Sequence, residues 1–139
     1  MAEFYCKYVS KINNLNMEIN SAGIFAYNGF PISELAKETL IYYNIPVSNN
    51  FSSKRLTIED LEKNDFIFTM ERFQADYLKN SYPEYSHKIF NLIDYLGGDG
   101  DIEDPAGNSI EFYLKIFEKI KKFIDLLMEK LKTELIKVQ

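Results

Sequence analysis

The sequence is short of the residues that most site chemistry uses. Its 139 residues hold one cysteine, one histidine and no tryptophan. A lone cysteine, Cys6, excludes an intramolecular disulfide and a cysteine-based zinc site. A lone histidine, His87, excludes a multi-histidine metal centre. No metal or other cofactor is therefore expected. No apolar run approaches the roughly 18 residues that read as a membrane span. No signal peptide opens the chain. These absences predict a soluble, cytoplasmic protein with no membrane partner. Positive charge is scarce too: 16 Lys and Arg stand against 21 acids, for a net charge of -5. Lys119, Lys121 and Lys122 are the one basic cluster, too small a footprint for phosphate tracking, which argues against a nucleic-acid partner.

What is present is ordinary globular composition, 46% hydrophobic and 27% charged, in a chain of one-domain length spanning residues 1–139. Aromatics make up 15%, as 10 Tyr and 11 Phe, which promises a dense core.

Apolar spacing divides the chain into alternating elements. Phe4, Tyr5, Tyr8, Val9, Ile12 and Leu15 recur at steps of three and four, predicting a helix over Met1–Asn16. No Ser, Thr, Asp or Asn precedes Ala2 to cap it. Met17–Ala22 alternates as a short strand. Ser33 caps a helix carrying Leu35, Ala36, Thr39, Leu40 and Tyr43, which Asn44 and Pro46 end. Thr57 and Asp60 stand at capping-box spacing. Asp65–Met70 is a nearly continuous apolar run, as in a parallel strand buried on both faces. A helix follows from Glu71 to Asn80, and His87–Leu92 is a third strand candidate. After a Gly- and Asp-rich loop from Gly97 to Asn108, Ser109 opens a long helix. Its stripe is Ile110, Tyr113, Phe117, Ile120, Ile124, Leu127, Leu131 and Leu135. Strands alternating with helices predict an α/β domain, three layers deep, around a short parallel sheet.

Four features bear on chemistry. Cys6 lies inside a helix, away from the helix start that makes a thiolate reactive, and reads as inert. His87 opens a strand beside Lys88, and nothing else in the sequence builds a triad around it. The acidic run from Asp99 to Asp104 lacks the ligand pattern of a calcium loop and reads as solvated. Within it, Asp104-Pro105 stands apart. Proline fixes its own φ and biases the preceding residue to extended geometry, so Asp104 offers a rigidly held carboxyl, as a general acid requires.

Five stretches, in order, resemble the low-molecular-weight protein tyrosine phosphatase family. Met1-Ala2-Glu3 is similar to the family's Met-Ala-Glu at the start of its first helix. Ser21-Ala22-Gly23 is similar to its Ser-Ala-Gly. Ser53-Lys54-Arg55-Leu56-Thr57 resembles its Ser-x-Arg-x-Leu/Ile-Thr segment, and Asp65–Met70 its Asp-x-Ile-x-x-Met strand. Asp104-Pro105 with Gly107 resembles the general-acid loop. The run from Asp104 to Tyr113 looks nearest to the arginine-phosphatase branch.

The resemblance implies hydrolysis of phosphotyrosine or phosphoarginine in a protein substrate. A cysteine thiolate attacks phosphorus, held by loop amides and an arginine. Asp104 is then the acid, Pro105 and Ala106 the leaving-group wall, and Ser21 and Arg55 support for the phosphate loop. Ala106 stands where the family carries an aromatic, which puts a phosphotyrosine preference in question. The larger departure is at the front. The family's strand, its Cys-x5-Arg-Ser phosphate loop and hence the nucleophile precede Met-Ala-Glu, and none is found in these 139 residues. Cys6 is no substitute, because Ile12 follows it six positions on.

We therefore expect an N-terminally truncated domain lacking its first central strand, without turnover. The strands at Met17–Ala22 and Asp65–Met70 would then have bare edges open to self-association. Losing about five core residues at about 1.5–3 kcal/mol each would rival a whole domain's stability of about 5–15 kcal/mol. The alternative is a non-catalytic binding or regulatory pseudo-phosphatase module, marked by cooperative melting without activity. An arsenate reductase of related fold is set aside, since its resolving cysteines are absent.

Overall fold

The computed structural model describes residues 1–138, with side chains to Glu134. Six α-helices and two strands follow one another along it: α1 (Ala2–Ile12), α2 (Glu34–Tyr42), α3 (Ile58–Lys63), β1 (Ile67–Thr69), α4 (Arg72–Ser81), β2 (Ile89–Asn91), α5 (Leu92–Tyr95) and α6 (Ile110–Val138). β1 and β2 pair in parallel, with Ile67 opposite Ile89 and Thr69 opposite Asn91. The crossover between them is α4 and a 3-10 turn over Pro83–Lys88.

Strand side chains alternate between faces, and each face of this sheet has its own core. Ile89 joins Leu61 of α3 with Ala75 and Leu78 of α4, and Ile67 packs beside them. Phe68 faces the other way, onto the larger core of Phe4, Leu40, Leu92, Ile102, Phe117 and Ile124. Helices on both faces of a parallel sheet give the three-layer α/β arrangement expected.

The helices stop for local reasons. α1 ends four residues short of the predicted Asn16, because Asn14 turns left-handed at φ 53°. Leu15 then donates its N–H to the Ser10 carbonyl at 2.9 Å and folds back onto the core. Asn44, at φ 59°, ends α2 in the same way, with the Ile45 N–H bonded to the Leu40 carbonyl at 2.9 Å. Tyr8 and Ile12, placed on the inner stripe by spacing, are exposed instead. Thr57 and Asp60 form the full reciprocal capping box of α3.

The strands depart further from expectation. Met17–Ala22 is extended but belongs to no strand. Its pattern is that of a strand, with Met17 and Ile19 turned to the core and Glu18 and Asn20 outward. What it lacks is a hydrogen-bonding neighbour, and without a ladder an alternating segment is only extended coil. Among the described residues β1 pairs with β2 alone, so its second edge is open. The Asp65–Met70 run gives only three strand residues, and Phe66 is 42% exposed rather than buried on both faces. His87 lies in the 3-10 turn and Leu92 begins α5, which trims the third strand to Ile89–Asn91. The apolar stripe of α6 is buried from Tyr113 to Leu131, Ile110 is half-buried, and the side chain of Leu135 lies outside the described residues.

Candidate active site

Asp104 sits on the loop between α5 and α6, which turns back over the start of α4. It is exposed, and one carboxylate oxygen accepts the Ala106 N–H at 3.0 Å. The Asn108 N–H closes the same turn on the Pro105 carbonyl at 3.0 Å, and Gly107 supplies the positive φ of 82°. Pro105 is half-buried and Ala106 exposed. Ser109 then caps α6, accepting the Phe112 N–H at 3.3 Å.

Upstream, the loop is fastened to three elements. Ile102 is 2% exposed, sunk in the larger core, and its N–H bonds the Met70 carbonyl beyond β1 at 2.9 Å. The Asp101 carboxylate accepts the Arg72 N–H at 2.8 Å, at the first turn of α4. Arg72 grips α5 and the loop together, with two bonds to Asp94 and one to Asp99 at 2.9 Å. Lys119 of α6 binds the Asp101 carbonyl and both Glu103 carboxylate oxygens.

The loop gathers negative charge. Glu71 titrates above its ordinary value, from burial first and then from the Asp101, Asp104 and Glu103 carboxylates. Glu103 is held low by its own backbone N–H, then by the Lys119 ammonium, against the cost of burial.

Ser21 and Arg55, the residues expected to support a phosphate loop, hold the segments on either side of Gly23. The Ser21 hydroxyl donates to Glu3 at 2.7 Å, tying the extended segment to the first turn of α1. Burial alone would raise the Glu3 pKa, and the Ser21 hydroxyl and Lys7 outweigh it, leaving that carboxyl below its usual value. Arg55 bridges Gly23 through its backbone, and its N–H is taken by the Asn28 side chain at 2.8 Å. Cys6 is buried within α1. Burial first, and then Glu3, push its thiol up to about 12, which the Met1 amine only partly offsets. A thiol so placed is protonated at neutral pH and is a poor nucleophile.

Sequence reading singled out Asp104 through its proline. It missed Asp101, Arg72 and Lys119, whose partners lie 16 to 29 residues away, beyond any local spacing rule. Among the described residues no group of three or more His, Cys, Asp or Glu is arranged to hold a metal ion. No helix is long and apolar enough to cross a membrane. What the loop presents to solvent is the Asp104 carboxyl group.

Comparison with known proteins agrees with this layout. The family described as low molecular weight phosphotyrosine protein phosphatase matches residues 1–137. A protein-arginine-phosphatase of Bacillus subtilis is 30% identical over 135 residues, 96% of this chain and 89% of that one. The crystal structure of a low molecular weight protein tyrosine phosphatase from T. tengcongensis superposes with a TM-score of 0.88 at 39% identity, over 93% of this chain and 88% of that one. An arginine phosphatase from Geobacillus stearothermophilus gives a TM-score of 0.90 at 31% identity, over 99% and 87%.

Proposed function

The chain belongs to the low molecular weight phosphotyrosine protein phosphatase family, and we propose that these 139 residues carry the acid half of that family's chemistry and not the nucleophilic half. In the intact family domain a cysteine thiolate attacks the phosphorus of a phosphorylated protein. The bond to the tyrosine oxygen or arginine nitrogen breaks, and that atom takes the Asp104 proton. Asp104 then accepts a proton from water as the water displaces the cysteine sulfur and frees phosphate. Pro105 and Ala106 flank the leaving group. A methyl at Ala106 walls an aromatic ring poorly, and the match over residues 104–113 favours phosphoarginine. Ser21 and Arg55 are assigned to the support of the phosphate loop.

That loop and the strand before it are, in this reading, not among these 139 residues. Among the described residues the second edge of β1 pairs with no strand and Met17–Ala22 has no ladder partner, which supports a strand's absence from these 139 residues. One observation carries the inactivity: the single cysteine, Cys6, is buried inside α1 with its thiol pushed up to about 12 and no arginine six residues on.

The test is hydrolysis by the purified chain of para-nitrophenyl phosphate and of a phosphoarginine peptide. Removing a triad nucleophile costs a factor on the order of 10⁶ in kcat, so no phosphate release above buffer is expected, with Cys6→Ser indistinguishable. Turnover that disappears in Cys6→Ser overturns the reading. A non-catalytic binding module is the second reading, favoured by a large core that closes around Phe117 within the described residues.

A further inference from the structure

We propose that Lys119 is the positioning residue of the acid loop, a clasp from α6 that holds the peptide on both sides of Ile102 and so sets where Asp104 stands. Its functional meaning rests on the reading of Asp104 as proton donor; its geometry does not.

The chain from Gly97 to Asn108 has no regular structure of its own. A proton donor must nevertheless be held to a fraction of an ångström, and such precision comes from rigid elements rather than from loops. Ile102 supplies one fixed point through its buried side chain and its bond to Met70. The Asp101 carboxylate on the Arg72 N–H holds the upstream side, and beyond Ile102 the chain leading to Asp104 is left free to pivot. Lys119 removes the pivot. Its ammonium meets the carbonyl of the residue before Ile102 and, at 3.2 Å, the carboxylate of the residue after it. The clasp has a rigid root, because Ile116, one turn before it on α6, and the adjacent Ile120 are buried. Beyond Glu103 a single peptide bond leads to Asp104, and Pro105 restricts the next φ.

The chemistry of the clasp is specific to a cation. Asp101, Asp104 and Glu103 all add to the upward shift of the Glu71 carboxyl, after burial, so the loop and the start of α4 carry charge of one sign. Their mutual repulsion favours an open loop. An ammonium offsets that repulsion and donates to a carbonyl as well. A neutral side chain of equal length does neither.

The experiment is ¹⁵N relaxation on the purified chain. Rigid backbone amides have order parameters of about 0.85, and flexible ones fall below about 0.6. In Lys119→Met the amides of Glu103, Asp104 and Ala106 are expected to pass from the first class to the second, while those of α6 stay rigid. Lys119→Arg restores them, since a guanidinium supplies both charge and donors. Glu103→Ala, at an exposed position the fold does not need, loosens the same amides by a smaller amount. A loop equally ordered in Lys119→Met and Glu103→Ala overturns the proposal, as does failure of Lys119→Arg to restore order. The measurement needs no turnover, so it is decided separately from the role of Asp104 as acid, which stands or falls on the hydrolysis assay.

Discussion

The two faces of the sheet are held by different physics. On one, α1, α2, α5 and α6 bury a continuous apolar cluster whose centre, Phe117 and Leu40, has no exposure. On the other, α3 and α4 contribute only Leu61, Ala75 and Leu78, with Ile89 beneath them. The small face compensates with polar ties. Asp60 gathers the Thr57 amide and hydroxyl and the Lys54 ammonium. The Gln74 side chain accepts the Glu71 N–H at 3.1 Å at the start of α4, and Lys88 binds the Glu62 carbonyl at 2.9 Å. Apolar burial is indifferent to pH, whereas carboxylate ties are not. The acid loop straddles the two regimes, with Ile102 in the large core and Asp101 on the start of α4.

The largest effect that tests this contrast is loss of the central ring. Phe117→Ala removes a side chain with 0% exposure that touches Tyr5 and Tyr43 at ring distances of 5.6 and 4.6 Å. Truncations of this type cost about 3–5 kcal/mol. Leu78→Ala, on the small face, should fall near the low end of the leucine range, about 2 kcal/mol, because a thin cluster collapses more readily around a hole. Urea midpoints of the two variants measure the difference. Equal losses would mean that both faces are supported alike.

How far the sequence foretold this molecule depends on the range of the interactions involved. Ser33, Thr57 with Asp60, Asn44 and the stripe of α6 act over three to seven residues, and each does what its spacing implies. Met17–Ala22 shows the limit. Alternation correctly placed Met17 and Ile19 inward, yet pairing depends on a neighbour that spacing cannot reveal. The turn that holds Asp104 was legible because Pro105 and Gly107 mark it. The Lys119 clasp was not, since Asp101 lies 18 residues from it and only the fold brings them together.

Acid pH probes the small face next. Burial alone would raise the Asp60 pKa, but the Lys54 ammonium and the Thr57 groups more than offset it, so the carboxyl ends below its ordinary value. A carboxylate depressed in the folded state adds stability above its unfolded pKa of about 3.9. That stability disappears as pH falls through the lower folded value. The thermal midpoint should therefore hold steady above about pH 5 and decline below about pH 4. Asp60→Asn lowers the midpoint at neutral pH and makes the acid decline shallower, leaving the part due to Glu3, Asp94 and Glu103, which are also depressed. Phe117→Ala should shift the whole curve downward without changing its acid slope. An Asp60→Asn slope as steep as that of the parent would remove Asp60 from the account.

Helix caps give the smallest effect, and here the ranking of the two faces reverses. Ser33 caps α2 on the large face with a single bond, the Ala36 N–H at 3.3 Å. Thr57 caps α3 on the small face inside a reciprocal box, where its hydroxyl also touches the Asp60 carboxylate that binds Lys54. Cap removal costs about 0.5–2 kcal/mol in general. Ser33→Ala is expected near the low end, about 0.5 kcal/mol, because α2 keeps its apolar anchor in Leu40. Thr57→Ala is expected nearer the upper end, about 1.5 kcal/mol, because it also strips a donor from Asp60. Denaturant midpoints for the pair make the comparison within one protein. A larger loss at Ser33 than at Thr57 would show that the small face does not depend on its polar ties.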